Sequence, residues 1–357
     1  MDTGGKTDDA LVTRVAFAIF RRAQMNGESR EKAEAVWDGL GPKIRSDWRL
    51  LAKAAIKALP STATMPNGSA RSSYPIYIYS PAEKSTSGGV RALYLLRQHL
   101  NRLGYKAFTI EWPSKQHPAN VPAELTQHLG AGRKPIVVYP EVVPGNPLGW
   151  PFVARYLLNK PGSLRQDAKP EFGENDYFLH FAPEHVPHGR QSFDLFMPLV
   201  DRKIYHRPQH IKSRHGFVVY TNRAEVDVLQ FPDWLQPFTI VSGRDPRPHS
   251  ELGELYRNSR ALVTAERTTA IYESICCGCP VICLPGMHFE EASYQTRFGG
   301  AGLIWGWKAD RLASAAVATR EFEAIYNRLE RSLDQRIHVA FDSIIADVRK
   351  RTNAGPT

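Results

Sequence analysis

Cysteine is scarce in this chain and confined to one place. The 357 residues hold four, Cys276, Cys277, Cys279 and Cys283, all within one short window. No second Cys/Cys or Cys/His hairpin of zinc-site spacing lies elsewhere in the sequence. The group therefore reads as small apolar packing at a tight helix-to-strand turn, with free thiols that suit a reducing compartment. Long apolar runs are missing too, since none approaches the roughly 20 residues of a membrane span. Residues 11–20 are too short, carry Arg14 and lack the form of a signal peptide. The expected location is cytoplasmic, with peripheral attachment at the inner membrane face left open. No internal repeat is visible in the sequence.

What is present describes a sizeable globular protein. Hydrophobic residues make up 42% of the chain, enough for two domains and an appendage. The formal net charge of +10 favours acidic partners: nucleotide phosphates, an anionic membrane face or nucleic acid. A basic soluble protein with no polyanion partner fits the same number.

The most informative stretch is 248–285, PHSELGELYRNSRALVTAERTTAIYESICCGCPVICLP. Leu252, Leu255 and Tyr256 share a helical face over residues 250–258. A short apolar run follows at 261–264, then Glu266-Arg267-Thr268-Thr269, which is typical of a helix start. A second helix spans 270–277, stops at Gly278, and another apolar run occupies 281–284. Helix, strand, loop, helix, strand is a parallel α/β unit. In such sheets ligands sit beyond the carboxyl ends of the strands. A helix N-terminus there suits a phosphate; Thr268 and Thr269 add hydroxyls, Arg267 adds charge, and Glu273 could accept from ribose hydroxyls. The plainer reading makes one threonine an N-cap and Glu273 a surface acid.

ESICCGCPVI, residues 273–282, resembles the signature of GT-B glycosyltransferases, especially the large retaining family that builds bacterial surface polysaccharides (group 1, family 4-like). The resemblance implies an α/β fold of two Rossmann-like domains and places the ribose-contacting glutamate at Glu273. That family carries a first glutamate eight positions earlier; here the position is Ala265, with Glu266 beside it. The absence of an Asp-x-Asp motif argues against the metal-chelating GT-A class and for an enzyme that needs no metal or other cofactor.

Taken in order, residues 1–62 read as a small helical module with a basic stripe (Arg45, Arg49, Lys53, Lys57), and 63–73 as a Ser/Pro/Gly-rich linker. A solvated helix face explains the stripe; docking on membrane or DNA is the alternative. Residues 74–205 form the expected acceptor domain, with strands at 74–79, 106–112, 134–140 and 176–181 and helices at 90–103 and 152–158. Gly88-Gly89 resembles the glycine-rich first loop of the family, which faces the cleft. The segment 139–162 resembles one seen in polysaccharide glycosyltransferases, with Glu141 either lining the acceptor side or fixing a loop. His180 and His185 are candidate acid/base groups. Residues 201–214, basic and histidine-rich, read as a solvated linker near the cleft that carries the crossover.

Residues 206–335 form the expected donor domain, with strands at 216–220 and 238–242. Arg223 and Arg244 follow strand ends, where either could neutralise a diphosphate. Residues 336–357 are the C-terminal helix and tail, with 337–348 able to cross back to the first domain. The expected activity is transfer of a sugar from a nucleotide-diphosphate sugar to an acceptor hydroxyl. The favoured acceptor is a cell-surface glycan or lipid-linked oligosaccharide. The rivals are a phage-type enzyme glycosylating DNA and a catalytically degenerate GT-B scaffold. The expected catalytic residues are Glu141 and Arg244. Those expected to bind the donor are Gly88, Gly89, Arg223, Glu266, Arg267, Thr268, Thr269 and Glu273.

Overall fold

The structure is a computed structural model and describes residues 37–38, 74–83, 87–112, 122–133, 135–163, 170–210, 213–222, 231–286 and 291–353. The chain divides into two compact units, residues 1–66 and 67–357. The expected module at 1–62 lies outside the described residues except for Trp37 and Asp38, and the linker at 63–73 lies wholly outside them. The second unit holds two parallel sheets, and each organises one lobe.

The first sheet contains β1 (Ile76–Ser80), β2 (Ala107–Glu111), β3 (Ile136–Pro140), β4 (Phe152–Leu157), β5 (Tyr177–His180) and β6 (Phe193–Asp194), in the order β2-β1-β3-β4-β5-β6. Every pairing is parallel. Its central strands are covered on both faces, which is why they read as near-continuous apolar runs. Along β3, Ile136 and Val138 join the main core, while Val137 and Tyr139 pack the opposite face with Val143 and Val153. Helix α1 (Gly88–Arg102) lays Val90, Leu93, Leu96 and Leu100 into the core. A short α2 (Glu124–Gly130) follows β2.

Residues 152–158, expected as a helix, are the strand β4 followed by a turn. FVARYL is buried on both sides, so its apolar run carries no period that separates helix from strand. Arg155 ties it to the segments on either side. This side chain is 1% exposed, pairs with Asp176 at 2.6 Å and donates to the Val143 carbonyl at 3.0 Å.

The second sheet contains β7 (Phe217–Thr221), β8 (Phe238–Ser242), β9 (Leu262–Thr264), β10 (Val281–Cys283) and β11 (Leu303–Trp305), ordered β11-β10-β9-β7-β8 and parallel. Around it lie α3 (His249–Asn258), α4 (Thr269–Cys276), α5 (Ala292–Phe298) and α6 (Leu312–Arg331), and α7 (Leu333–Asn353) follows them in the chain. Helix α4 is buried from Ala270 to Cys276, and Gly278 ends it at φ 74°, its N–H returning to the Ile275 carbonyl at 2.8 Å. The four cysteines are buried and free, as the packing reading requires. Burial pushes Cys276 and Cys277 up to about 12. Among the described residues no group of three or more His, Cys, Asp or Glu could hold a metal ion, and no helix is long and apolar enough to cross a membrane.

Both sheets share one topology, in which the first strand of each lies between its second and third. The strand order reverses between β1 and β3 and again between β7 and β9, where ligand crevices form. Helix α7 follows the second sheet in sequence yet packs on the first lobe. Tyr105 donates to Asp342 Oδ1 at 2.6 Å and Tyr177 to Asp347 Oδ2 at 2.7 Å. The segment expected as a solvated linker is instead anchored. Tyr205 is fully buried, Arg207 pairs with Glu323 at 3.2 Å, and Arg214 donates to the carbonyls of Cys277 and Ser259. Those two carbonyls lie at helix C-termini, so the arginine satisfies acceptors that the helices leave open.

Candidate active site

A cavity of about 400 Å³ lies where the carboxyl ends of the two sheets face each other. Its first-lobe wall comprises Ser87–Gly89 at the start of α1, Leu158 and Asn159 after β4, and Phe181 after β5. The second-lobe wall comprises Tyr220 and Asn222 at the end of β7, Gly243 after β8, and Arg267–Thr269 at the start of α4. Two helix N-termini therefore open on one space. Each is capped by a hydroxyl: Ser87 accepts from Val90 N and Thr268 from Ala270 N, both at 3.4 Å.

The two helix starts meet at Gly88. A Cβ on that residue would stand 2.8 Å from Thr269 Cγ2, and threonine, branched at Cβ, has little room to turn aside. A larger residue at 88 would therefore press on the second lobe. Gly89 also lines the cavity.

Arg267 is the cation of the wall. Its Nη2 donates to Glu184 Oε1 at 3.0 Å and its guanidinium lies 5.5 Å from the centre of the Tyr294 ring. Burial works against its charge, but the Tyr294 and Tyr272 phenols and Glu184 hold its pKa above the usual value. Its Nη1 donates to His185 Nε2 at 2.8 Å. His185 Nδ1 lies 3.1 Å from the Leu157 carbonyl, which can only accept, so Nδ1 carries the proton and Nε2 the lone pair. Burial, and then the Arg267 charge, push His185 down to about 3, so it is neutral at physiological pH. His180, the other histidine considered, bonds Ser192 Oγ at 2.9 Å, and burial lowers its pKa.

The acids named from sequence stand behind the wall. Glu273 is 4% exposed, with Oε1 3.6 Å from Arg91 Nη1 in the first lobe and no hydrogen bond to that oxygen. Burial pushes it up to about 7 against the pull of Arg91 and Tyr205. Glu266 turns beneath β7, where Oε1 accepts from Asn222 N at 2.6 Å. Glu141, also buried, accepts from Leu158 N at 3.0 Å and Asn159 Nδ2 at 2.9 Å. Of its two readings the structure realises the loop-fixing one, and Asn159 is what faces the cavity. Burial raises Glu141 to about 7. Arg244 is exposed beyond Gly243, and Arg223 lies outside the described residues.

Of the named residues, Gly88, Gly89, Arg267, Thr268 and Thr269 are brought together around one cavity. Sequence reasoning missed Arg91, Asn159, Asn222 and Tyr272. Asn159 follows a strand end and Arg91 falls in the first turn of the helix after the glycine loop. Asn159 carries a signal once β4 is recognised as a strand, and Arg91 carries one from the glycine loop just before it.

No protein-family model and no curated protein matches the chain. Solved structures do. The chain is similar to the spinosyn forosaminyltransferase SpnP, at 15% identity over 76% of this chain and 100% of that one, with a TM-score of 0.47. It is similar to the glycosyltransferase VinC in complex with dTDP, at 12% identity over 74% and 99% of the two chains, TM-score 0.43. A sucrose-phosphate synthase from Thermosynechococcus elongatus gives 13% identity over 79% and 98%, TM-score 0.42.

Proposed function

We propose that this chain is a GT-B glycosyltransferase. It moves a sugar from a nucleotide-diphosphate sugar, bound mainly by the second lobe, to an acceptor hydroxyl held by the first. The observation that carries this reading is the convergence of two hydroxyl-capped helix N-termini and Arg267 on one cavity at both strand switch points. Helix starts present unpaired N–H groups and partial positive charge, and an arginine beside them makes a seat for a diphosphate. Catalysis then rests on stabilising the departing diphosphate, a preorganised electrostatic contribution that needs no metal.

Among the described residues no acid lines the cavity, and we assign no general base: Glu141, Glu266 and Glu273 stand behind its wall. Asn159, held by Glu141, orients polar groups on the acceptor side. The resemblance of residues 139–162 and 273–282 to polysaccharide-building enzymes supports a glycan or lipid-linked oligosaccharide as acceptor.

The test is thermal unfolding against UDP, dTDP, GDP, ADP and their common sugar conjugates, with Arg267→Met alongside. A ligand at a hundred times its Kd adds about 2.7 kcal/mol of stability. The expected result is a rise in Tm for one nucleotide series, weakened in the variant. No rise for any of them counts against the reading.

A further inference from the structure

Arg267 belongs to the second lobe, where its guanidinium lies over the Tyr294 ring, but both its terminal nitrogens bond the first. Its two terminal nitrogens go to Glu184 and His185, which follow β5. The histidine is buried, 2% exposed, and its far nitrogen is tied to the carbonyl of Leu157 at the end of β4. A neutral imidazole with the proton on Nδ1 can only accept at Nε2, and a guanidinium can only donate, so the contact has one polarity. A protonated histidine would face Arg267 with like charge. Burial and that neighbouring charge keep it neutral.

We propose that His185 is a positioning residue for Arg267: its fixed lone pair sets the guanidinium at the cavity wall, so the first lobe completes the anion seat of the second. This rests on the diphosphate-binding reading above. A diphosphate would then bind well only when both lobes are together, because the arginine's orientation is supplied across the seam. Glu184 contributes charge from a more exposed position, 30% accessible against 18% for Arg267. The imidazole contributes direction.

The test uses the full chain and calorimetric titration with inorganic pyrophosphate, UDP, dTDP, GDP and ADP. His185→Met removes the lone pair and the N–H. His185→Gln keeps both, because its amide can donate to Leu157 and accept from Arg267. We expect His185→Met to bind the preferred probe about tenfold more weakly, the scale of one charge-assisted hydrogen bond, and His185→Gln to bind within about threefold of wild type. In an Arg267→Met background the His185→Met change should have no further effect, a result that general loosening of the loop would not give.

Equal binding by His185→Met and wild type overturns the proposal. So does an undiminished effect of His185→Met in the Arg267→Met background. Should His185→Met fail to fold, His185→Asn, one methylene shorter and unable to span both partners, takes its place in the same cycle. Failure of wild type to bind every probe overturns the diphosphate reading itself, and this inference with it.

Discussion

Arg91 and Glu273 face each other across the seam between the lobes, Nη1 to Oε1 at 3.6 Å, one side chain a fifth exposed and the other almost wholly buried. The glutamate's folded pKa is raised by burial to about 7, above its ordinary 4.5. Its protonated form is therefore favoured in the fold, and its contribution to stability declines as pH rises from about 4.5 through 7. Arg91→Met should destabilise by about 2–3 kcal/mol at pH 8, where an unpaired buried carboxylate remains. The loss should be smaller near pH 5.5, where Glu273 takes up a proton. Urea denaturation at both pH values measures this, and Arg91→Met/Glu273→Gln should recover most of the pH 8 loss.

Glu141 titrates in the same direction, raised by burial to about 7 despite bonds from Asn159 and Leu158. A shift of that size corresponds to roughly 3 kcal/mol between the acid and alkaline sides of the transition. Glu141→Gln removes the titration. The stability of wild type minus that of the variant should therefore fall as pH rises from 5 to 8, and a flat difference would contradict the placement of this carboxyl.

The meeting of helix starts at Gly88 predicts a specific rescue. Gly88→Ala should cost about 1–3 kcal/mol by pressing its methyl on Thr269 Cγ2. Thr269→Ser deletes that methyl and keeps the hydroxyl. The double variant should melt above Gly88→Ala alone, as scanning calorimetry would show.

The cysteine cluster offers a simple chemical check. All four thiols are buried, with Cys276 and Cys277 raised to about 12 and Cys283 raised further still by burial. Only thiolates alkylate readily. Native protein should resist iodoacetamide at pH 7.5, and mass spectrometry should find four labels after unfolding in guanidinium.

Much of this architecture was legible in the sequence because parallel strands are apolar along their whole length and helices carry a periodic face. The unit around 248–285 was readable to within a residue at most ends, since Thr268 and Gly278 mark where α4 begins and stops. FVARYL was not readable, because a strand buried on both faces loses its alternation and its arginine mimics a polar helix position. The acids were harder for another reason. A glutamate after a strand end faces either the ligand or its own loop, and only tertiary contacts decide, as with Glu141 and Leu158 N. The tautomer of His185 depends on a carbonyl 28 positions away, which no local pattern encodes.

The polypeptide passes between the lobes twice, once through residues 195–216 and again where α6 gives way to α7. These passages lie side by side: the Tyr326 hydroxyl accepts from Val200 N at 2.9 Å, Glu323 holds Arg207, and Arg336 reaches the Phe196 carbonyl at 2.9 Å. The lobes are thus sewn together along one line where a single core runs through both, Phe196 of the first passage packing on Tyr272, Phe298 and Tyr326, so a change that loosens one passage slackens the other.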